Sequence, residues 1–213
     1  MAETCSGTAA ACPADGFVAA TSLACAPYRC TGAAPGCTTT CATSTDCAPN
    51  ARAACLGTAC LNGRLAFVTS GSWTPTTGLS TAYQHCMTHA GALGTNFIPW
   101  ISTSFSSAGT RLNMGGPFVR VGDKAIIAND KFDLLDGALT SSISNDEAGT
   151  FRDVAVWTGT TGSGNWYLNL SCLDWSSSAD NGLLGQSGAV TGNWSTNSSS
   201  VCDQARPIYC IEN

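Results

Sequence analysis

Hydrophobic and polar positions follow different patterns in the two parts of the chain. In residues 63–213, short apolar runs alternate with Gly, Ser, Asn and Asp, whereas residues 1–62 contain few large apolar side chains. Apolar side chains recur every three to four positions in residues 79–90, which predicts an amphipathic helix with Cys86 facing the core. Residues 64–70 are rich in β-branched and aromatic side chains and lie between glycines, which predicts a strand.

The second part of the chain contains few further regular elements. Short apolar segments bounded by turn residues predict four more strands, at residues 96–102, 116–121, 124–128 and 154–158. Residues 130–135 predict a helical turn, and residues 159–205 predict mostly loop. Short elements that carry long loops are typical of an α+β fold, and long loops on a small frame favour binding.

The distribution of the cysteines divides the chain into a segment that needs cross-links and a domain that can form its own core. Nine of the 13 cysteines lie within the first 60 residues, where too few apolar side chains are present to bury a core. Paired Cys-x2-Cys knuckles with histidines are absent, so we expect disulfides rather than zinc. We therefore predict a mostly irregular, disulfide-stapled stalk at 1–62 and an α+β domain at 63–213.

Disulfides imply an oxidising compartment, so we expect a secreted or cell-surface protein. Residues after Met1 have neither a basic nor an apolar stretch, and we expect an export signal to lie upstream of Met1. The odd number of cysteines leaves two interpretations open. Either the partner of one cysteine also lies upstream, or one thiol is free or intermolecular.

Charge and hydropathy exclude several classes of partner. Only 11% of the residues are charged, and the net charge is −5. So little positive charge makes nucleic acid and anionic lipid poor partners. Apolar runs stay well short of the about 18 residues that a membrane span requires, so we expect no span.

The N-terminal cysteine pattern resembles two kinds of small extracellular repeat. The opening Glu3-Thr4-Cys5-Ser6-Gly7, followed by Cys12-Pro13-Ala14-Asp15, resembles the disintegrin-like repeat, and the cysteines between 25 and 60 resemble cysteine-rich repeats of secreted bacterial proteins. The resemblance implies a spacer that holds the next domain away from a surface. Integrin binding is not expected, because that activity belongs to a loop outside the matching portion.

Several motifs after residue 63 resemble C-type-lectin-like domains. These are the cysteine-bearing helix Ala82-x3-Cys86-x3-Ala90, the segment Trp157-Thr158-Gly159 and the ending Cys202-x7-Cys210-Ile-Glu. The segments 116–121 and 129–137 are similar to a bacterial surface-protein branch of that family, which has no assigned function and is related in fold to endostatin. The resemblance implies disulfides Cys86–Cys210 and Cys172–Cys202, and pairing of residues 65–70 with residues 207–211.

Members of that family that bind sugars through calcium use a Glu-Pro-Asn or Gln-Pro-Asp loop and a Trp-Asn-Asp strand. Neither tripeptide occurs between residues 159 and 172, and Asn193-Trp194-Ser195 stands before Cys202. We therefore expect the usual calcium site to be absent and no cofactor to be bound. A weak calcium site remains open at Asp130, Asp133 and Asp136, although turn capping explains their spacing equally well.

The loop between Cys172 and Cys202 is the candidate ligand surface. Tryptophans among Asp, Asn and Ser can stack on a sugar face or serve as a protein hot spot. The candidate residues are Trp175, Asp180, Asn181, Asn193 and Trp194. The alternative is that both tryptophans are core anchors of a long loop.

No catalytic constellation is evident in the sequence. His85 and His89 could share one helix face as metal ligands, but a third ligand is not evident, and a surface pair of histidines explains the spacing better. We therefore expect a non-enzymatic recognition or adhesion module that binds an extracellular glycan or protein. The alternative is a structural surface or matrix protein that self-associates through faces of low charge.

Overall fold

The computed structural model describes residues 26–29 and 38–213. Helices and strands are mixed along this part of the chain, so the α+β class is observed. The strands are β1 (Ala53–Leu56), β2 (Ala59–Asn62), β3 (Arg64–Val68), β4 (Phe97–Pro99), β5 (Phe118–Arg120), β6 (Ile126–Ala128), β7 (Ala155–Trp157), β8 (Asn181–Gln186), β9 (Ser198–Val201) and β10 (Tyr209–Glu212). The helices are α1 (Leu79–Ala90), α2 (Ala108–Arg111), α3 (Lys131–Leu134) and the single turn α4 (Cys172–Trp175). None of the helices in these residues is both long and apolar enough to cross a bilayer.

A five-stranded sheet joins the two ends of the second domain. Its strand order is β4-β10-β3-β5-β6. The C-terminal strand β10 runs antiparallel to β3, with Tyr209 opposite Val68, and antiparallel to β4 on its other side, with Cys210 opposite Pro99. The pairing of residues 65–70 with residues 207–211 is therefore confirmed in β3 and β10.

Both faces of this sheet are buried. Leu65 and Phe67 of β3 pack in one hydrophobic cluster, whereas the intervening Ala66 and Val68 pack in another. This alternation follows from the period of two in a strand. Helix α1 covers the first face through Ala82, Cys86 and Ala90, as its apolar spacing predicts.

The second sheet contains strands that the sequence did not predict. Its order is β7-β8-β9, and both β8 and β9 lie in the region expected to be loop. Glycines interrupt β8 and serines fill β9, so propensity gave no strand signal there. Packing explains β8, because a Cβ at Gly182 would lie 2.7 Å from the Cys172 sulfur and from the Trp157 ring.

Two disulfides cross-link the second domain. Cys86–Cys210 ties α1 to β10, and Cys172–Cys202 closes the loop that contains β8 and β9. Both pairs agree with the pairing that the resemblance implied.

Two further disulfides hold the described part of the N-terminal segment, Cys41–Cys55 and Cys47–Cys60. This segment contains a β1–β2 hairpin that was not expected in a mostly irregular stalk. Its small core consists of Cys41, Cys47, Ala53 and Cys60. The disintegrin-like motif and the other five cysteines lie outside the described residues.

An ion pair joins this N-terminal module to the domain. The Arg52 guanidinium lies 2.7 Å from Glu212 Oε1, and the backbone N–H of Leu65 donates to Glu212 Oε2 at 2.9 Å. A second contact runs from the Ser44 hydroxyl to the carbonyl of Lys124 at 3.2 Å. The predicted boundary after residue 62 falls between β2 and β3, where the chain passes directly from hairpin to sheet.

Candidate functional site

Loops from separate parts of the chain enclose a surface cavity of about 420 Å³. We name it the Trp166 pocket. Its walls come from the segment after β4, from the loop that precedes α4, from α4 itself and from the residue before β8. The lining residues are Ser104, Trp166, Asn169, Ser171, Leu173, Asp174 and Asp180.

The turn α4 forms one wall of the pocket in an unusual backbone conformation. All four of its residues, Cys172 to Trp175, have positive φ angles between 51° and 64°. Left-handed backbone costs an L-residue other than glycine or asparagine about 1 kcal/mol or more. Such strain persists only where the surrounding structure holds it in place.

Buried side chains at both ends of α4 hold this strained turn. Cys172 is fully buried in its disulfide with Cys202. Trp175 is also fully buried, and its indole N–H donates to the Ser102 carbonyl at 2.8 Å. The intervening Leu173 is consequently fixed at the surface, where its side chain is 68% exposed.

The carboxylate of Asp174 ties the turn to the opposite wall of the pocket. It accepts hydrogen bonds from the backbone N–H and the hydroxyl of Ser104, at 2.7 Å and 2.5 Å. Asp180 is exposed at the pocket edge. Neither aspartate belongs to any of the ion pairs found among the described residues.

Several exposed apolar side chains lie next to pocket-lining residues in the chain, and one of them, Leu173, lines the pocket itself. Phe105, next to Ser104 in the chain, is 93% exposed, and Leu168 is 64% exposed in the loop that follows Trp166. Tyr167 and Leu173 add further exposed apolar surface. Exposed apolar side chains close to a cavity favour an interaction site, because large exposed apolar patches are uncommon on monomeric proteins.

Two of the predicted ligand residues are instead part of the core. Trp175 packs on Trp73 and Trp157, with ring centroids 5.4 Å and 6.1 Å away, and Trp194 packs on Trp100 at 4.9 Å. Both candidate rings are 0% exposed. Stacking on a ligand requires an exposed ring face, so the prediction was wrong for Trp175 and Trp194, and the core-anchor interpretation is correct.

The three polar candidates do not form one site. Asp180 lines the Trp166 pocket, and Asn181 follows it as the exposed first residue of β8. Asn193 is exposed in the 3-10 turn Gly192–Trp194 and does not line the pocket. Of the five predicted ligand residues, only Asp180 therefore lines this cavity, although Leu173 and Asp174 of the same loop line it as well.

Sequence reasoning missed most of the lining residues. Ser104, Asn169 and Leu173 carry no motif that marks them as ligand contacts. The nearest local signal was the run Trp166-Tyr167-Leu168, but a short run of large apolar residues does not separate surface from core in the sequence alone.

The acidic residues considered for calcium act as turn caps. Asp130 Oδ1 accepts from the N–H groups of Phe132 and Asp133 at the start of α3. Asp133 accepts from the N–H of Asn129, and Asp136 from that of Ala138. Each carboxylate has its own local backbone partner, so capping explains the spacing and the weak calcium candidate is not supported.

In the described residues, the side chains close enough to share a metal ion are Cys41, Cys47 and Cys60. Their sulfurs belong to two disulfides, Cys41–Cys55 and Cys47–Cys60. A thiolate rather than a disulfide sulfur is the ligand that zinc requires. This group is therefore a staple rather than a metal centre.

His89 and Glu147 form a hydrogen-bonded pair beside the end of β3. The Nδ1 atom of His89 lies 2.7 Å from Glu147 Oε1, and the Ser70 hydroxyl donates to the same carboxylate. A hydrolytic triad needs the serine at the other ring nitrogen. Here Ser70 Oγ is 3.4 Å from Nδ1, and Nε2 faces Gly71, where a Cβ would lie 2.8 Å away. The cluster links α1 to two loops and does not have triad geometry.

No protein-family model matches this sequence, and no curated protein matches it.

Proposed function

We propose that residues 63–213 are a C-type-lectin-like domain of the bacterial surface-protein branch, within a secreted or cell-surface protein. Its role is recognition or adhesion: it binds an extracellular glycan or protein through loops. The long-range disulfide Cys86–Cys210 and the pairing of β3 with β10 are consistent with that family's arrangement. The disulfide-rich module before it acts as a spacer.

The observation that carries this proposal is the Trp166 pocket, which the exposed Leu173 lines from a strained turn. Leu173 is held in solvent by a backbone conformation that its buried neighbours enforce. A pre-ordered apolar contact loses little conformational entropy on binding, so it yields more affinity than a mobile one. Strained surface turns also cluster at ligand sites.

Binding is proposed to be independent of calcium. A calcium ion takes six to eight oxygen ligands, as a rule from several carboxylates. In the pocket, Asp174 already accepts two hydrogen bonds from Ser104 and Asp180 lies at the edge. The same binding is therefore expected in calcium and in chelator.

The test is binding of the full chain to arrays of glycans and of extracellular proteins, with a pocket variant and a matched control. Leu173→Asn suits the left-handed backbone, because asparagine tolerates positive φ, and it removes the apolar contact. Phe132→Asn removes an equally exposed apolar side chain from α3, which does not line the pocket. We expect binding to fall at least about tenfold for Leu173→Asn and to persist for Phe132→Asn. Equal binding by both variants rejects the pocket as the recognition site.

An edge strand favours self-association as a second candidate function. Strand β9 pairs with β8 on one side, and within the described residues no strand covers its other side. Val201 at its end is 45% exposed. Exposed edges can pair between chains. Sedimentation velocity over a concentration series tests this, and a monomer at every concentration rejects assembly.

A further inference from the structure

The Trp166 pocket contains negative charge without a facing cation. Asp174 and Asp180 both line it, and none of its lining residues is Lys, Arg or His. Among the described residues, the basic groups that contact carboxylates do so in the pairs Arg52–Glu212, His89–Glu147 and Arg120–Asp123. A ligand that covers the pocket must therefore compensate two carboxylates or leave them partly desolvated, which is costly.

The surroundings of these carboxylates are apolar. Trp166 and Leu173 line the cavity together with them, and the exposed Leu168 follows Trp166 by two residues in the chain. Lysine and arginine side chains combine an apolar stem with a cationic end. A cation is also attracted to the face of a tryptophan ring, which is the strongest aromatic partner for it. The negative charge and the apolar surface of the pocket thus both favour a ligand group with an apolar stem and a cationic end.

We propose that the ligand is a protein that inserts a lysine or arginine side chain, flanked by apolar residues, into the Trp166 pocket. This inference rests on the proposed function and selects a protein over a neutral glycan. Asp180 pairs with the inserted cation, because it is exposed and belongs to no ion pair among the described residues. Asp174 adds negative charge while its hydrogen bonds to Ser104 keep the wall in place.

Arginine fits this arrangement better than lysine. Its planar guanidinium can stack on an indole ring while its N–H groups meet a carboxylate. A neutral sugar offers hydroxyl donors but no positive charge. The overall charge of −5 also favours encounter with a basic partner surface.

The test uses two tripeptide probes of nearly equal shape, N-acetyl-Leu-Arg-Leu-amide and the same peptide with citrulline, whose neutral urea replaces the charged guanidinium. Each is titrated into the ¹⁵N-labelled full chain, and backbone amide shifts are followed by NMR. We expect the arginine probe to shift the amides of Ser104, Asn169 and Asp180. The citrulline probe should bind at least about fivefold more weakly, because the charge contribution is lost.

Charge-neutral variants provide the matched comparison. Asp180→Asn should weaken the arginine probe at least about threefold. Asp136→Asn makes the same charge change at an exposed aspartate that does not line the pocket, and should leave the affinity unchanged. Raising the salt concentration from about 0.05 M to about 0.5 M should weaken binding of the arginine probe alone.

The outcomes separate this inference from the proposed function. If both probes shift the pocket amides with equal affinity, recognition at the pocket stands and the cationic ligand is rejected. If neither probe shifts them, the cationic ligand is likewise rejected, and the array comparison of Leu173→Asn with Phe132→Asn decides the proposed function alone. An equal loss of affinity for the arginine probe in Asp180→Asn and Asp136→Asn also rejects the cationic ligand, since only the overall charge of the protein would then matter.

Discussion

Among the described residues, the N-terminal module and the C-terminal domain each contain two disulfides, but these disulfides stabilise the two regions in different ways. In the module, Cys41–Cys55 and Cys47–Cys60 span 14 and 13 residues and themselves form most of a four-residue core. In the domain, Cys86–Cys210 spans 124 residues and lies within a large core on one face of a sheet. Disulfides replace a core in the first case and join the ends of one in the second.

Removing the long-range disulfide should have the largest effect on stability. The double variant Cys86→Ala, Cys210→Ala frees a loop of 124 residues in the unfolded chain, which corresponds to about 4–5 kcal/mol of stability. Urea unfolding followed by tryptophan fluorescence measures it, because all six tryptophans of the chain lie after residue 63.

The matched control is Cys41→Ala, Cys55→Ala, which opens a loop of 14 residues in the module. The loop entropy is about 3 kcal/mol, but it stabilises a segment with its own small core. The tryptophan-detected transition should therefore move little. A large shift of that transition would show that module and domain unfold as one unit.

Truncation of a core tryptophan should come next. Trp194→Ala removes a fully buried ring between Trp100 and Tyr209 and should cost about 3–5 kcal/mol. Phe105→Ala removes a ring that is 93% exposed and should change stability by less than about 0.5 kcal/mol. Thermal unfolding of both variants checks the contrast, and similar costs would contradict the assignment of Trp194 to the core.

These tryptophans show where sequence reasoning succeeds and where it stops. Periodicity over residues 79–90 predicted α1, and β-branched and aromatic residues between glycines predicted strand β3, because both signals are local. Whether Trp175 or Trp166 is exposed depends on partners far away in the chain. Trp175 donates to Ser102 across 73 residues, so no local pattern marks it as core.

The Trp166 pocket was unpredictable for the same reason. Its walls meet through the contact between Ser104 and Asp174, which are 70 residues apart. Strands β8 and β9 were missed because glycine and serine have low strand propensity, and close packing of Gly182 against Trp157 stabilises β8 instead. Local elements were predictable, whereas the assembly of loops was not.

Weakening the junction between the two regions should have an intermediate effect on stability. Glu212→Gln weakens the ion pair with Arg52 and the bond from the Leu65 N–H, and should cost about 1–3 kcal/mol. A double-mutant cycle with Arg52→Met isolates the pair itself. If the coupling energy is zero, the ion pair does not couple the module to the domain.

Acid pH should produce the smallest effect, through His85 on α1. Burial, and then the neighbouring His89, lower the pKa of His85 below its ordinary value of about 6.5. His85 therefore binds a proton more readily in the unfolded chain than in the folded chain. This contribution to stability is complete above about pH 6.5 and is lost as the pH falls from there through the lowered pKa.

Glu147, the carboxylate that contacts His89, affects stability in a separate pH range. Burial raises the pKa of Glu147, but hydrogen bonds from Ser70 and His89 outweigh burial, and the pKa lies below its ordinary value. Its contribution is thus retained above the ordinary carboxyl range and is lost only as the pH falls through the lowered pKa. A comparison between pH 7.5 and pH 5.5 therefore reports on histidine.

Urea unfolding at these two pH values measures the His85 contribution in the native chain and in His85→Gln. The ring is partly exposed, and solvent screening limits the expected loss on acidification to about 0.5 kcal/mol. His85→Gln should reduce the difference between the two pH values, because glutamine does not titrate. The pocket lies elsewhere and contains no histidine, so probe binding should not change over this range. An unchanged pH difference in His85→Gln would assign the acid sensitivity to another group.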